Sequence, residues 1–194
     1  MTSTPRDAAK LEASNDYPKA LIEKARGITL LVLDVDGVLT DGGLYFNNDG
    51  EALKRFSILD GLGIKLLADN GIDCAIITGR NSGIVEKRAA ELSIAHLVQG
   101  REDKRAALLE LQAKTAVTAT QIAYVGDDLP DIGAIQHSAL GIAVANAHAE
   151  VKQRADWVCK AQGGAGAVRE VADMLLQAQG QYSAAIEKFV QSQT

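Results

Sequence analysis

The sequence predicts an α/β fold, one parallel sheet sandwiched between helices in three layers. Short apolar runs alternate with longer segments of helical period, the pattern of strands joined by crossover helices. The polar residues capable of chemistry stand directly after the apolar runs, at the edge where ligands of an open parallel sheet gather. The 194 residues suffice for one such unit and little more.

Along the chain, residues 1–16 read as a flexible lead-in and 17–194 as a single domain. The first strand is the apolar run Ile28–Leu33. Gly43–Phe46 and Ala52–Phe56 flank Asn47-Asn48-Asp49-Gly50, residue types that favour a tight turn, so a β-hairpin over 43–56 interrupts the alternation. Helix Gly61–Asn70, strand Asp73–Ile77, helix Ser82–Leu92, strand His96–Val98 and helix Glu102–Ala113 follow. Then come strand Gln121–Val125, helix Pro130–His137, strand Leu140–Val144, helix Ala149–Ala155 and a short strand Trp157–Cys159. Pro130 suits a first helical turn, where its missing N–H costs nothing. Residues 160–194 are expected to form a C-terminal tail with helices Ala167–Ala178 and Ser183–Gln191, and the plain reading of Gly163-Gly164-Ala165-Gly166 before them is a flexible connection.

Composition narrows the function. Hydrophobic residues at 47% and charged ones at 23% are globular proportions. Twenty Lys and Arg against 25 Asp and Glu give a net charge of -5, which argues against a nucleic-acid or anionic-membrane binder. A small anionic substrate needs only a local cationic cluster and stays open. No run approaches the ~20 apolar residues of a membrane span. The polar first 27 residues lack the apolar centre of a secretion signal. Cys74 and Cys159 stand far apart without a CxxC, and His96, His137 and His148 are scattered, so neither a disulfide framework nor a zinc site is indicated. The chain reads as cytoplasmic.

The strand ends carry the chemistry. Asp34-Val35-Asp36-Gly37 follows the first strand and Thr78-Gly79-Arg80 the second. Lys104 lies at the start of the helix after the third, and Gly126-Asp127-Asp128 follows the fourth, with Asp131 one turn on. Singly, each has a plain reading: a turn, a helix cap, a solvated lysine. Together they place several carboxylates at one edge, where they repel each other unless a cation sits among them. An all-oxygen donor set suits Mg²⁺. A divalent ion, an ammonium and a Thr hydroxyl cradle a phosphoryl group, whose transfer needs mainly positioning and charge neutralisation. Asp can attack phosphorus, and two acids at alternate positions can divide nucleophilic and acid–base work. Gly61-Leu62-Gly63 and the Gly163–Gly166 run lack a full GxGxxG, so a dinucleotide site is not indicated.

Asp34–Asp41, Thr78, Lys104 and Gly126–Asp131 resemble, in order, the four motifs of the haloacid dehalogenase superfamily of phosphohydrolases. The resemblance implies that Asp34 attacks phosphorus to form an aspartyl-phosphate. It implies that Asp36 protonates the leaving oxygen and then activates the hydrolytic water. Thr78 and Lys104 would hold phosphoryl oxygens. Mg²⁺ would sit on Asp34, the main-chain carbonyl of Asp36 and Asp127, with Asp128 and Asp131 behind. The Asp36–Thr78 and Thr78–Lys104 intervals are too short for a separate cap, so the expected architecture is Rossmann-like with an inserted hairpin and no cap domain.

Asp34–Asp41, the hairpin, Asp60–Lys65 and Gly163–Arg169 are most similar to capless members acting on eight-carbon sugar-acid phosphates on the route to lipopolysaccharide. That similarity implies a substrate loop of Ser57, Ile58, Leu59, Asp60 and Gly61. Lys65, Arg80, Arg88, Lys104 and Asp36 would join it, with Leu59 standing where relatives often carry Arg. It also implies a homotetramer whose hairpins pair, so that neighbours complete each site, and a C-terminal segment that reaches a neighbour's site. The alternatives are a phosphatase for nine-carbon sialic-acid-type 9-phosphates, a phospho-receiver signalling domain and an inactive scaffold. A receiver carries its phosphorylated Asp after the third strand, yet no acid directly follows His96–Val98.

Overall fold

The structure, a computed structural model, describes residues 17–191; the lead-in expected over 1–16 lies outside them. Helix α1 (Lys19–Ala25) leads into β1 (Leu30–Leu33), and the hairpin follows as β2 (Tyr45–Asn47) and β3 (Gly50–Leu53). Next come α2 (Ile58–Asp69), β4 (Asp73–Ile77), α3 (Gly83–Glu91), β5 (His96–Val98) and α4 (Lys104–Thr115). The chain continues through β6 (Ile122–Gly126), α5 (Ile132–His137), β7 (Leu140–Ala143), α6 (Ala149–Arg154), β8 (Trp157–Val158), α7 (Ala167–Ala178) and α8 (Tyr182–Gln191).

Six strands form one sheet in the order β5-β4-β1-β6-β7-β8, every pair parallel. β1 and β6 are buried along their whole length, which is why they read as unbroken apolar runs rather than as an alternation. Helix α7 packs on α1 and α2, while α4, α5 and α6 pack in succession, and these groups flank the sheet. The order places β1 between β4 and β6, so the residues following these three strands meet at one edge. β2 and β3 form a separate antiparallel pair beside that edge, tied back by a bridge between Thr40 and Phe56. Among the described residues there is no cap domain, and no helix is long and apolar enough to cross a membrane.

Three local features add to or depart from the sequence reading. The short helix α1 has no sequence signal: Pro18 at its cap offers no side-chain acceptor, and no acid stands in its first turn. Helix α2 begins at Ile58 rather than Gly61, because the Ser57 hydroxyl accepts the N–H groups of Leu59 (3.2 Å) and Asp60 (3.5 Å). The expected substrate loop is therefore a helical first turn. Finally, the stretch after residue 160 is part of the domain's own packing. Gly164 N–H donates to Val38 O (2.9 Å), Gly163 N–H donates to Asn146 Oδ1 (2.9 Å), and eight residues of α7 are buried. A Cβ at position 163 would stand 1.6 Å from Gly37 O, so the glycine is needed for this close approach. The run packs on its own subunit instead of forming a flexible connection.

Candidate active site

β1 pairs with both neighbours, and Asp34 N–H still donates to Val125 O (3.1 Å), so the ladder fixes the first residue past the strand. The chain then tightens into one turn: the N–H groups of Val38, Leu39 and Thr40 all return to Val35 O. Thr40 Oγ1 accepts from Gly37 N–H (3.3 Å) and Gly42 N–H (3.2 Å), closing the turn that launches the hairpin. Gly37 has φ +91°, and an added Cβ would stand 2.1 Å from Asp127 Oδ2. The glycine thus lets the β1 turn and the β6 loop meet.

Asp34, Thr78, Lys104 and Asp131 are all buried. Lys104 Nζ lies 2.9 Å from Asp34 Oδ2 and 2.7 Å from Asp131 Oδ1. Asp131 is saturated. Its Oδ1 also accepts from the Tyr124 hydroxyl (2.9 Å), and its Oδ2 accepts from the N–H groups of Asp127 (3.0 Å) and Asp128 (3.2 Å). It therefore anchors Lys104 and the β6 loop, although its carboxylate groups within 4.8 Å with those of Asp34 and Asp127. Asp127 Oδ1 is buried with no hydrogen-bond partner.

Burial, reinforced by the Asp131 carboxylate, pushes Asp34 up to about 7 despite the opposing pull of Lys104. Burial and the charges of Asp34 and Asp131 push Asp127 up to about 8. Burial disfavours the Lys104 ammonium, but the two carboxylates outweigh it and raise its pKa. Three acids share one ammonium, and one acid oxygen is orphaned. A divalent cation held by Asp34 and Asp127 fits both facts, and an all-oxygen donor set suits Mg²⁺.

These groups open into a cleft of about 570 Å³ whose lining includes Asp34, Asp36, Thr78, Arg80, Lys104 and Asp127. Thr78 is held at the end of β4 by its N–H to Val98 O (2.9 Å) and by Arg101 N–H to its carbonyl (3.1 Å). The Asp36 carboxylate faces a cationic pair: it is hydrogen-bonded to Lys54 Nζ, and Arg80 Nε lies 3.9 Å away. Lys54 and its partner Glu51 were not anticipated, because an exposed hairpin's residue pattern does not say which charges fold back. The available signal was positional: an insertion leaving the β1 turn must return its second strand past Asp36.

The remaining predicted contacts do not line this cleft within one chain. Ile58, Gly61, Lys65 and Arg88 border a separate shallow pocket of about 210 Å³. Ser57 caps α2, while Ile58 and Leu59 are exposed. Arg88 donates to Ser57 O (3.3 Å) and Glu91 Oε2 (2.9 Å), and its guanidinium lies 5.7 Å from the Phe56 ring centre. Asp60 is buried and accepts the N–H groups of Gly166 (3.3 Å) and Arg169 (2.9 Å), so it pins the start of α7. Within its own chain the Asp60 carboxylate thus serves the start of α7.

The family model for haloacid dehalogenase-like hydrolase matches residues 89–171. The 3-deoxy-D-manno-octulosonate 8-phosphate phosphatase KdsC of Escherichia coli strain K12 is 50% identical over 160 residues, covering 82% of this chain and 85% of the relative. The chain belongs to that phosphatase family. Members of known structure share the fold throughout. The Moraxella catarrhalis enzyme, in complex with a magnesium ion, a phosphate ion and a KDO molecule, is 42% identical with a TM-score of 0.87, covering 89% of this chain and 99% of that one. The cobalt-bound Haemophilus influenzae enzyme is 45% identical with a TM-score of 0.81, covering 83% and 94%. Membership in this phosphatase family disfavours the receiver and scaffold readings.

Proposed function

We propose that the protein is a Mg²⁺-dependent phosphomonoester hydrolase that converts 3-deoxy-D-manno-octulosonate 8-phosphate to 3-deoxy-D-manno-octulosonate and phosphate, in lipopolysaccharide biosynthesis. The observation that carries this reading is the cation-deficient cleft: Asp34 and the orphaned Asp127 Oδ1 stand beside Lys104 and Thr78 on one sheet edge. The ligands of the Moraxella relative support the substrate class.

Asp34, Asp127 and the main-chain carbonyl of Asp36 would hold Mg²⁺, which when bound neutralises phosphate charge and keeps Asp34 ionised. Lys104, fixed by Asp131, orients the Asp34 carboxylate and meets a phosphoryl oxygen. Thr78 offers its hydroxyl to another. Asp34 attacks phosphorus, and the phosphoryl group passes to its carboxylate as the sugar oxygen leaves with a proton from Asp36. Asp36, now ionised, takes a proton from the water that hydrolyses the aspartyl-phosphate. Arg80 at the cleft wall meets the anionic substrate.

The working unit we propose is a homotetramer in the cytoplasm. Supporting it, Leu44, Tyr45, Phe46 and Leu53 on the hairpin, with Ile58 and Leu59 on α2, expose a run of large apolar side chains beside an open cleft. A neighbour's Ser57–Gly61, Lys65 and Arg88 would then supply the substrate contacts that one chain does not bring to its own cleft. The free, buried thiols Cys74 and Cys159 suit a reducing compartment.

The test is phosphate release from eight- and nine-carbon sugar-acid phosphates with and without Mg²⁺. Mg²⁺-dependent preference for the eight-carbon 8-phosphate is expected. Equal rates across the panel, or no turnover of that compound, would overturn the substrate assignment.

A further inference from the structure

The hairpin reaches the cleft through a buried lysine. The Lys54 side chain is 1% exposed, unusual for a residue that enters the interior only when paired. It has two carboxylate partners, Asp36 and Glu51, the latter at 2.9 Å. Arg80 closes the figure, with Nη2 3.7 Å from Glu51 Oε1 and Nε 3.9 Å from Asp36 Oδ2. Four charges of alternating sign thus form a ring: Asp36, Lys54, Glu51, Arg80. Glu51 Oε2 also accepts the Ser82 hydroxyl, which ties the ring to the start of α3.

Two members of the ring, Asp36 and Arg80, line the cleft, and the other two come from the hairpin's second strand and its end. The ring is neutral as a whole. It differs in this from the Asp34–Asp127–Asp131 group, where three carboxylates share the single Lys104 ammonium, and so it orders two side chains without adding net charge to the cleft.

We propose that Lys54, braced by Glu51, is a positioning residue that holds the Asp36 carboxylate and the Arg80 guanidinium in their working orientations. This rests on the phosphatase reading above. Asp36 must face first a leaving oxygen and then a water, and small misplacements of such a group cost about 100-fold in rate. Without Lys54, the Asp36 carboxylate loses its one close cationic contact and can rotate towards solvent. Without Glu51, Arg80 loses a partner that fixes the substrate side of the cleft.

The experiment compares wild type, Lys54→Met, Lys54→Arg and Glu51→Gln as full chains with Mg²⁺ and 3-deoxy-D-manno-octulosonate 8-phosphate. Lys54→Met is expected to lower kcat by roughly 10- to 100-fold with KM nearly unchanged, and Lys54→Arg to recover most of the loss. Glu51→Gln is expected to raise KM more than it lowers kcat. In an Asp36→Asn background, Lys54→Met should cost no further kcat, because the group it acts through is already gone. The same fold-loss in both backgrounds, or full kcat in Lys54→Met, overturns the proposal. If Lys54→Met does not fold, Lys54→Gln takes its place in the same cycle. Absence of wild-type turnover overturns the phosphatase reading and this proposal together, whereas full turnover by Lys54→Met overturns this proposal alone.

Discussion

Lys104 Nζ stands 2.7 Å from Asp131 Oδ1, and both side chains are buried. Asp131 is therefore one of the two carboxylates on which the buried Lys104 ammonium depends. Asp131→Ala would leave that ammonium with Asp34 alone and strand the Tyr124 hydroxyl and two backbone N–H groups. The expected cost is about 3–5 kcal/mol of stability together with loss of turnover, read by urea unfolding and a phosphate-release assay. Tyr124→Phe removes one of four donors and should cost about 1 kcal/mol. An Asp131→Ala chain as stable as wild type would contradict the anchoring role of Asp131.

Gly37→Ala tests the meeting of the β1 turn with the β6 loop. The substitution meets φ +91° and brings a methyl group 2.1 Å from Asp127 Oδ2, so that carboxylate must move. The Mg²⁺ concentration for half-maximal activity is expected to rise about 10- to 100-fold, as for other displaced metal ligands and their supports. An unchanged Mg²⁺ response would remove Asp127 from the proposed ion's coordination.

The raised acids predict a pH dependence for the metal-free protein. Asp34 near 7 and Asp127 near 8 keep protons that the unfolded chain has already released. Their contribution is fully present below about pH 4 and is lost as pH rises through 7 to 8. With EDTA, Tm is expected to fall over that window; excess Mg²⁺ should flatten the fall. Asp34→Asn should show a smaller fall and a loss of turnover on the order of 10⁴-fold or more. A metal-free Tm that climbs from pH 5 to 8 would contradict the electrostatic account.

The meeting of Asp34, Thr78 and Asp127 was legible because each of the three directly follows a strand, and strand order alone brings them to one edge. Lys54 was not legible, since its burial depends on how the hairpin folds back over the β1 turn. The start of α2 was legible in principle: Ser57 followed by Asp60 is a capping pattern. The glycine run at 163–166 misled for a physical reason. Its composition signals flexibility, whereas Gly163 and Gly164 serve close contact with Gly37 and Thr40.

The exposed hairpin predicts an assembly phenotype. Phe46 is 60% exposed, so Phe46→Asp should leave the subunit folded while lowering the mass measured by light scattering. The same variant should lose kcat/KM if neighbours complete the cleft. A variant of unchanged mass and activity would detach the hairpin's apolar face from assembly.

The most direct test of the central claim is to trap the covalent intermediate on Asp34. Enzyme mixed with 3-deoxy-D-manno-octulosonate 8-phosphate and Mg²⁺, acid-quenched within one turnover and reduced with borohydride, should carry homoserine at position 34 by peptide mass spectrometry. Homoserine at another acid, or phosphate release with position 34 unmodified at every quench time, would contradict the assignment of Asp34 as nucleophile.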